Sequence, residues 1–575
     1  MENQLELPKE GVTVGAKAII ETLLAAGVNR IFGYPGGTVI PFYDALYEYK
    51  GKMTHILTRH EQGAVHAAEG FARATGKVGV CVATSGPGAT NLVTGIADAM
   101  MDSVPVVCIT GQVPNHLLGS DAFQETDFVS ITIPITKWNC RVKDARQLPE
   151  IIAKAIHIAT TGRPGPVVID VPRNVQVESF NWDEVSVEVP SYNPVRDASN
   201  DDILQAAGLI NAAKRPLILC GHGVLICDAE KELIELAEMA SIPVAVTFMG
   251  ISAIPTEHPL YAGMIGMHGN YAPNYLTNKS DLIIAVGMRF SDRVTGDTKR
   301  YAKNAKIIHI ELDSSEINKN VSRTFGIVSD AKRVLKRLLP LVKKLDRAAW
   351  LAEFKSRKQL EDEKIIKKAI KSSGSSISMS EAVYEISKQV DGDAIVVTDV
   401  GQQQMMTARY FSFKDPKTFI SSGGLGTMGF GLPAAIGAKM ACPEKRVITF
   451  LGDGGFQMTM QELGTILQEN LDVKIVILNN EYLGMVRQWQ ELFFKKRYSF
   501  VGMKNPDFVA IAKAYGMNAQ RVVGRGDLKG AVSKMLSSEG AYLLEIVVDK
   551  TQNVFPMIPG GAAIDEMILQ DNEEK

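Results

Sequence analysis

Residues Val447–Asn480 read VITFLGDGGFQMTMQELGTILQENLDVKIVILNN. Two apolar, β-branched runs, VITFL and KIVIL, each end on residues that turn a chain: Gly452-Asp453-Gly454 after the first, Asn479-Asn480 after the second. Runs of this kind without alternation predict neighbouring parallel strands buried on both faces. Open parallel sheets take their ligands just beyond the carboxyl ends of the strands. Asp453 offers one hard carboxylate there and Asn480 one amide carbonyl. Mg²⁺ accepts such a sparse set when phosphate oxygens and water complete its octahedron. Gly452 and Gly454 let the backbone come close to a diphosphate. GDG and NN are also ordinary turn sequences, and two unrelated turns are the competing reading.

Similar runs recur outward from this stretch. They include Val78–Thr84, Pro105–Thr110 and Pro166–Val171 in the first third, and Pro216–Cys220, Pro243–Phe248, Leu282–Val286 and Ile307–Leu312 in the middle. Ala394–Thr398 and Tyr542–Val548 complete the set in the last third. Interleaved with Ala-rich helical stretches, they predict an α/β chain of doubly wound parallel sheets. A Pro/Ser/Asn-rich seam at Glu184–Asn200, and a charged stretch from Lys343 ending in SSGSSIS, divide it into three domains, over 11–185, 200–345 and 375–560. The first and last thirds could share a fold, which the sequence does not show.

The 575 residues are 46% hydrophobic and 22% charged, which excludes a disordered chain. Lys+Arg 62 against Asp+Glu 64 leaves no basic footprint for nucleic acid. Six cysteines without a CxxC pair argue against a zinc cluster or a disulfide framework and favour a reducing, cytoplasmic location. No apolar run has the length of a membrane span, and the acidic start MENQLELPKEG resembles neither a signal nor a transit peptide.

Two further segments carry chemistry. Arg59-His60-Glu61-Gln62-Gly63 opens a small-residue helical stretch, AVHAAEGFARATG. From the residues alone, Glu61 is either an ordinary first-turn carboxylate or a functional acid, and Glu69 competes for that role. The small residues suit close packing round a cofactor or plain helix packing equally. Gly424-Leu425-Gly426-Thr427-Met428-Gly429 matches GxGxxG, but FISSG before it is a poor first strand for a dinucleotide unit.

GDG, about 24 intervening residues and NN resemble the thiamine diphosphate (ThDP) and Mg²⁺ motif of the ThDP-dependent enzymes. The resemblance implies Mg²⁺ on Asp453, Asn480 and the Tyr482 carbonyl. It places the ThDP at Gly401, Gln402, Gln403, Gly426, Met428, Gly452, Asp453, Gly454, Gly455, Asn480, Tyr482, Gly484 and Met485. It makes Glu61, in RHEQGA, the acid at the pyrimidine N1′, and Met428 the apolar support beneath the bent cofactor. A carboxyl there favours the imino tautomer, a role that needs a dry site.

GYPGG (Gly33–Gly37), ATSGPGATN (Ala83–Asn91), GQVP with GSDAFQETD (Gly119–Asp127) and LGMVRQWQ (Leu483–Gln490) narrow the likeness to the large catalytic subunits of the acetohydroxyacid (acetolactate) synthase family, from about Gly11 to Met567. That family decarboxylates pyruvate and joins the hydroxyethyl unit to a second 2-keto acid, pyruvate or 2-ketobutyrate, in branched-chain amino acid biosynthesis. The likeness makes the three domains a pyrimidine-binding, an FAD-associated and a diphosphate-binding one. MRFSDRVTG (Met288–Gly296) resembles a site that FAD and substrate share. FAD contacts are implied at Arg163, Gly221, His222, Gly223, Thr247, Phe248, Gly266, Met267, His268, Gly269, Arg289, Asp292, Arg293 and Glu311. Arg293 matches a cation for the acceptor carboxylate, Trp489 a wall for its alkyl group, Gln124 an active-site amide, and Phe123 and Arg173 the approach channel. A homodimer or homotetramer and a regulatory small subunit are family properties. Gln403 stands where the family carries His, and Ser291 where it carries Asp. A pyruvate oxidase and an FAD-independent catabolic acetolactate synthase are the alternatives.

Overall fold

The apolar runs are the inner strands of three sheets, each six-stranded and parallel throughout. The computed structural model describes residues 7–570 apart from 9, 185–186, 188–191, 193 and 372–375. Part of the Glu184–Asn200 seam, and Ser372–Ser375 of the stretch ending in SSGSSIS, lie outside the described residues.

From edge to edge the first sheet holds Thr54–Leu57, Arg30–Gly33, Gly79–Ala83, Val106–Gln112, Val167–Pro172 and Trp138–Arg141. The third holds Phe419–Ser421, Ile395–Thr398, Val447–Gly452, Val473–Asn479, Tyr542–Val547 and Asn518–Val522. Numbered within its own domain, each runs 2-1-3-4-6-5. The first and last thirds therefore share one topology. The middle sheet (Tyr261–Met264, Val244–Val246, Pro216–Cys220, Leu282–Val286, Lys306–Glu311, Thr324–Val328) runs 3-2-1-4-5-6, with its order reversing between Pro216–Cys220 and Leu282–Val286. A crevice opens at such a reversal.

Inner strands are covered on both faces, so their alternate residues enter different cores. Val80 and Val82 pack with Ile20, Leu23 and Ile152. Cys81 and Ala83 pack with Ala64, Ala68 and Ile96 on the other side. A short ribbon pairs Val12–Val14 antiparallel with Ser179–Asn181.

Helix Glu61–Thr75 of the first domain crosses helix Gly431–Ala441 of the third with their backbones in contact. A Cβ on Gly70 would stand 2.0 Å from the Ala434 carbonyl oxygen, and one on Gly437 only 1.8 Å from that of Ala67. The small residues after Glu61 thus serve helix packing. Among the described residues no helix is long and apolar enough to cross a membrane.

Candidate active site

Strands Val447–Gly452 and Val473–Asn479 are parallel neighbours, with Gly452 beside Leu478. This brings Asp453 and Asn480 to adjacent tips. Asp453 opens helix Asp453–Thr459 and is buried. Burial lifts its carboxyl to about 6 against the opposing pull of an Asn505 hydrogen bond. Asn505 Nδ2 donates to Asp453 Oδ2 at 2.6 Å and to Asn479 Oδ1 at 3.0 Å, tying the two tips together. The NN pair forms two consecutive side-chain turns: Asn479 Oδ1 accepts the Glu481 amide and Asn480 Oδ1 the Tyr482 amide, both at 3.1 Å. An amide oxygen has two lone pairs, so Asn480 keeps one for a cation. Its Nδ2 donates to Gln402 Oε1 at 3.2 Å, which aims the oxygen.

Gln403 lies in the first turn of the adjoining helix Gln402–Tyr410, which follows Gly401, whose φ of 149° suits glycine. The Gln403 amide lies against Gly452, 3.1 Å (Oε1) from where a Cβ would stand, and its buried Nε2 has no partner. An orphan donor at a glycine-lined tip fits a diphosphate oxygen. Gly454 and Gly455 pack beside Leu483 and Asp399, Gly484 against Gln402, and Met428 is half-buried close to Gly454.

Glu61 lies at the carboxyl ends of the first sheet, in the first turn of its helix, which the His60 Nδ1 caps through the Gln62 amide. It is buried, and its Oε2 accepts Asn91 Nδ2 at 3.0 Å. Gly88 comes close to its Oε1. Gln124, with φ 62°, abuts Gly86 of the same cluster. Phe123 and Arg173 are exposed on this domain. Among the described residues no hydrogen bond joins Glu61 to the Asp453 tip. Its neighbours Arg59 and Gly63 touch Glu462 instead, past the far end of the helix that Asp453 opens.

A cavity of about 1060 Å³ lies at the carboxyl ends of the middle sheet. Gly221 and Gly223 pack on Gly287 across the reversal point with no room for side chains, a Cβ on Gly221 falling 2.1 Å from the Gly287 oxygen. Arg163, His222, Gly223, Thr247, Phe248, Met267, His268, Arg289, Asp292, Arg293 and Glu311 line the cavity, as do Gly426, Met485 and Trp489 of the third domain. Gly221, Gly266 and Gly269 stand behind that wall. Burial pushes His222 down to about 3 and His268 to about 4, so both rings are neutral. Arg163 is paired with Asp313 and Glu316 at 3.1 Å. Arg293 is two-thirds exposed. The volume, the glycine approach and the cations suit a large anionic ligand such as a dinucleotide.

The three sheets match three thiamine pyrophosphate enzyme domains: the N-terminal TPP binding domain over residues 13–131, the central domain over 203–338 and the C-terminal TPP binding domain over 399–546. The chain is 48% identical to the probable acetolactate synthase large subunit of Methanocaldococcus jannaschii, covering 96% of this chain and 95% of that one. It is 43% identical to the acetolactate synthase isozyme 2 large subunit of Escherichia coli (96% and 99% covered), and 42% identical to the chloroplastic acetolactate synthase 1 of Nicotiana tabacum (97% and 85% covered). The chain belongs to the acetolactate synthase large-subunit family. It is a thiamine pyrophosphate enzyme, and its two TPP binding domains are the two sheets of like topology.

Sequence reasoning passed over two residues of this family member's third-domain tip. Asp399 is buried and takes the amides of Gly429, Gly431 and Val400, while burial raises it to about 6. An acid directly after the apolar run Ala394–Thr398 is the same signal that marks Asp453. Asn505 carries no such mark: it reaches the tips from a loop with no local pattern.

Proposed function

We propose that the chain decarboxylates pyruvate and joins the two-carbon unit to a second 2-keto acid, giving 2-acetolactate from pyruvate or 2-aceto-2-hydroxybutyrate from 2-ketobutyrate. The observation that carries this reading is the buried Asp453–Asn480 pair at neighbouring strand tips, with the orphan Gln403 amide beside it. ThDP, when bound, supplies a thiazolium that serves as the electron sink for decarboxylation. Asp453, Asn480 and the Tyr482 carbonyl would hold Mg²⁺, and Gln403 would donate to the diphosphate. Its NH₂ does so without charge, where the family's His can carry one. Glu61 would hold the proton at the pyrimidine N1′, with Asn91 keeping its carboxyl in place. Met428 would support the cofactor from below, and Gln124 would face the reacting end.

The large cavity would hold FAD along the middle sheet, with Glu311 and Arg289 on its wall. Arg293 would bind the acceptor carboxylate, with Trp489 as the wall for its alkyl group. One methylene against such a wall is worth about 1–3 kcal/mol, or tens- to a few hundredfold in acceptor choice. The reading takes each site to lie between copies of a homodimer or a homotetramer, with Glu61 from one copy and Asp453 from another, as the family likeness implies. Relatives named as large subunits support a regulatory small-subunit partner for this chain. We place the protein in the cytoplasm, with domains over 11–185, 200–345 and 375–560.

The test is incubation with pyruvate, ThDP, Mg²⁺ and FAD under nitrogen. Acetolactate is expected without an electron acceptor; acetate formed only with O₂ would replace this reading by an oxidase.

A further inference from the structure

Two carboxylates of the first domain hold a loop of the third. Asp98 and Asp102 stand four apart on helix Val93–Asp102 and so face the same way. Asp102 takes the Gly423 amide on Oδ2 at 2.9 Å and the Gly424 amide on Oδ1 at 2.7 Å. Asp98 Oδ1 accepts the Thr427 hydroxyl at 3.0 Å, and also that of Ser422. Ser422 Oγ accepts the Thr427 amide at 2.8 Å, closing the turn on itself. Both acids are buried, and Arg73 NH2 lies 2.9 Å from Asp102 and 3.4 Å from Asp98.

Hydrophobic packing would bury such a turn at less desolvation cost than an ion cluster. What carboxylates add is direction. Two successive amides aimed at one anion have a single arrangement, and the low dielectric sharpens it. Gly423 and Gly424 have no space for side chains, since their Cβ atoms would fall 2.2 Å from Met249 Sδ and 2.3 Å from Met101 Cγ. The turn is therefore placed from the first domain. It forms part of the wall of the large cavity and leads directly to Met428.

We propose that Asp98 and Asp102 are positioning residues, which set the turn Ser422–Thr427 and through it Met428 and the adjoining cavity wall. The inference rests on reading Met428 as cofactor-facing. One consequence is that the third domain's half of the ThDP site is shaped by the first domain of the same chain.

Hydrogen–deuterium exchange and ThDP calorimetry on the full-length chain, without substrate, test it. A hydrogen bond to a charged group is worth about ten- to a hundredfold. Asp102→Asn is expected to speed exchange across 422–428 about tenfold, leave 447–452 protected, and weaken ThDP about tenfold. Thr427→Val removes one hydroxyl and keeps the fold if Asp102→Asn does not. It should weaken ThDP severalfold and be non-additive with Asp98→Asn. Wild-type exchange over 422–428 in both variants, or equal acceleration in every peptide, would overturn the proposal. Both readouts are independent of turnover. A chain that binds ThDP but makes no acetolactate would sink the proposed function and leave this inference standing, and if ThDP did not bind, exchange alone would decide.

Discussion

Gln403 carries a buried donor with no partner, a cost borne by the cofactor-free protein. Gln403→Leu is expected to raise the stability of that form by about 1 kcal/mol while weakening ThDP about tenfold. Urea unfolding and calorimetry read the two effects, and a variant that loses stability would mean the amide is not the orphan it looks. Glu61→Gln should retain ThDP but lose about 10²–10⁴ in turnover, the usual worth of a positioned acid. Near-normal rates would remove Glu61 from the chemistry. Glu462 shows how little of a residue's setting its neighbours in sequence reveal. Its oxygens accept the Arg59 amide and the Thr465 hydroxyl, and burial lifts its carboxyl to about 7. A folded-state value above the unfolded one, near 4.3, means the folded chain holds the extra proton. The stability from this group is therefore complete below about pH 4 and lost as pH rises through about 7. Melting curves between pH 5 and 8 should fall less steeply for Glu462→Gln; parallel slopes would contradict this. At this scale the placing of Asp453 and Asn480 at strand ends was legible, because acids and amides there are a local pattern, whereas local pattern left Glu61 and Glu69 as rivals and only the family likeness chose between them. Asn505 was not, because what it ties together is distant in sequence.

Elements were legible where their burial is symmetric. Val473–Asn479 is buried at every position, and its stretch Ile475–Leu478 reads as an unbroken apolar run. The edge strands Trp138–Arg141 and Asn518–Val522 are only partly buried and carry polar residues, which left no run to find. Helix Glu61–Thr75 was visible as a small-residue stretch, but its reason lay in the helix it crosses. Gly437→Ala puts a methyl against the Ala67 carbonyl, where backbone rather than a side chain must move. A loss of about 1–3 kcal/mol or more is expected in the urea midpoint. An unchanged midpoint would mean the two helices can separate freely.

For the whole molecule, the sharing of 2-1-3-4-6-5 order between the first and third sheets places two like carboxyl-end crevices in one chain. One carries Glu61 and the other Asp453, and among the described residues no hydrogen bond joins them. If each site uses both from different copies, co-expressing Glu61→Gln with Asp453→Ala should restore activity. Half the dimers are mixed and each has one intact site of two, so about a quarter of the wild-type rate is expected. No recovery would mean that the two residues act within one chain.

Strand cores, their carboxyl-end turns and the carboxylate and amide groups that stand at those turns were decided by the sequence alone. Each depends on residues within a few positions of one another, through burial and backbone geometry. Which strands adjoin, that the two outer sheets are alike, that Asn505 ties the tips and that Asp98 and Asp102 hold a loop more than three hundred residues away were decided only by the tertiary structure. Such contacts join segments remote in sequence, and no local periodicity records which surfaces the chain buries against each other.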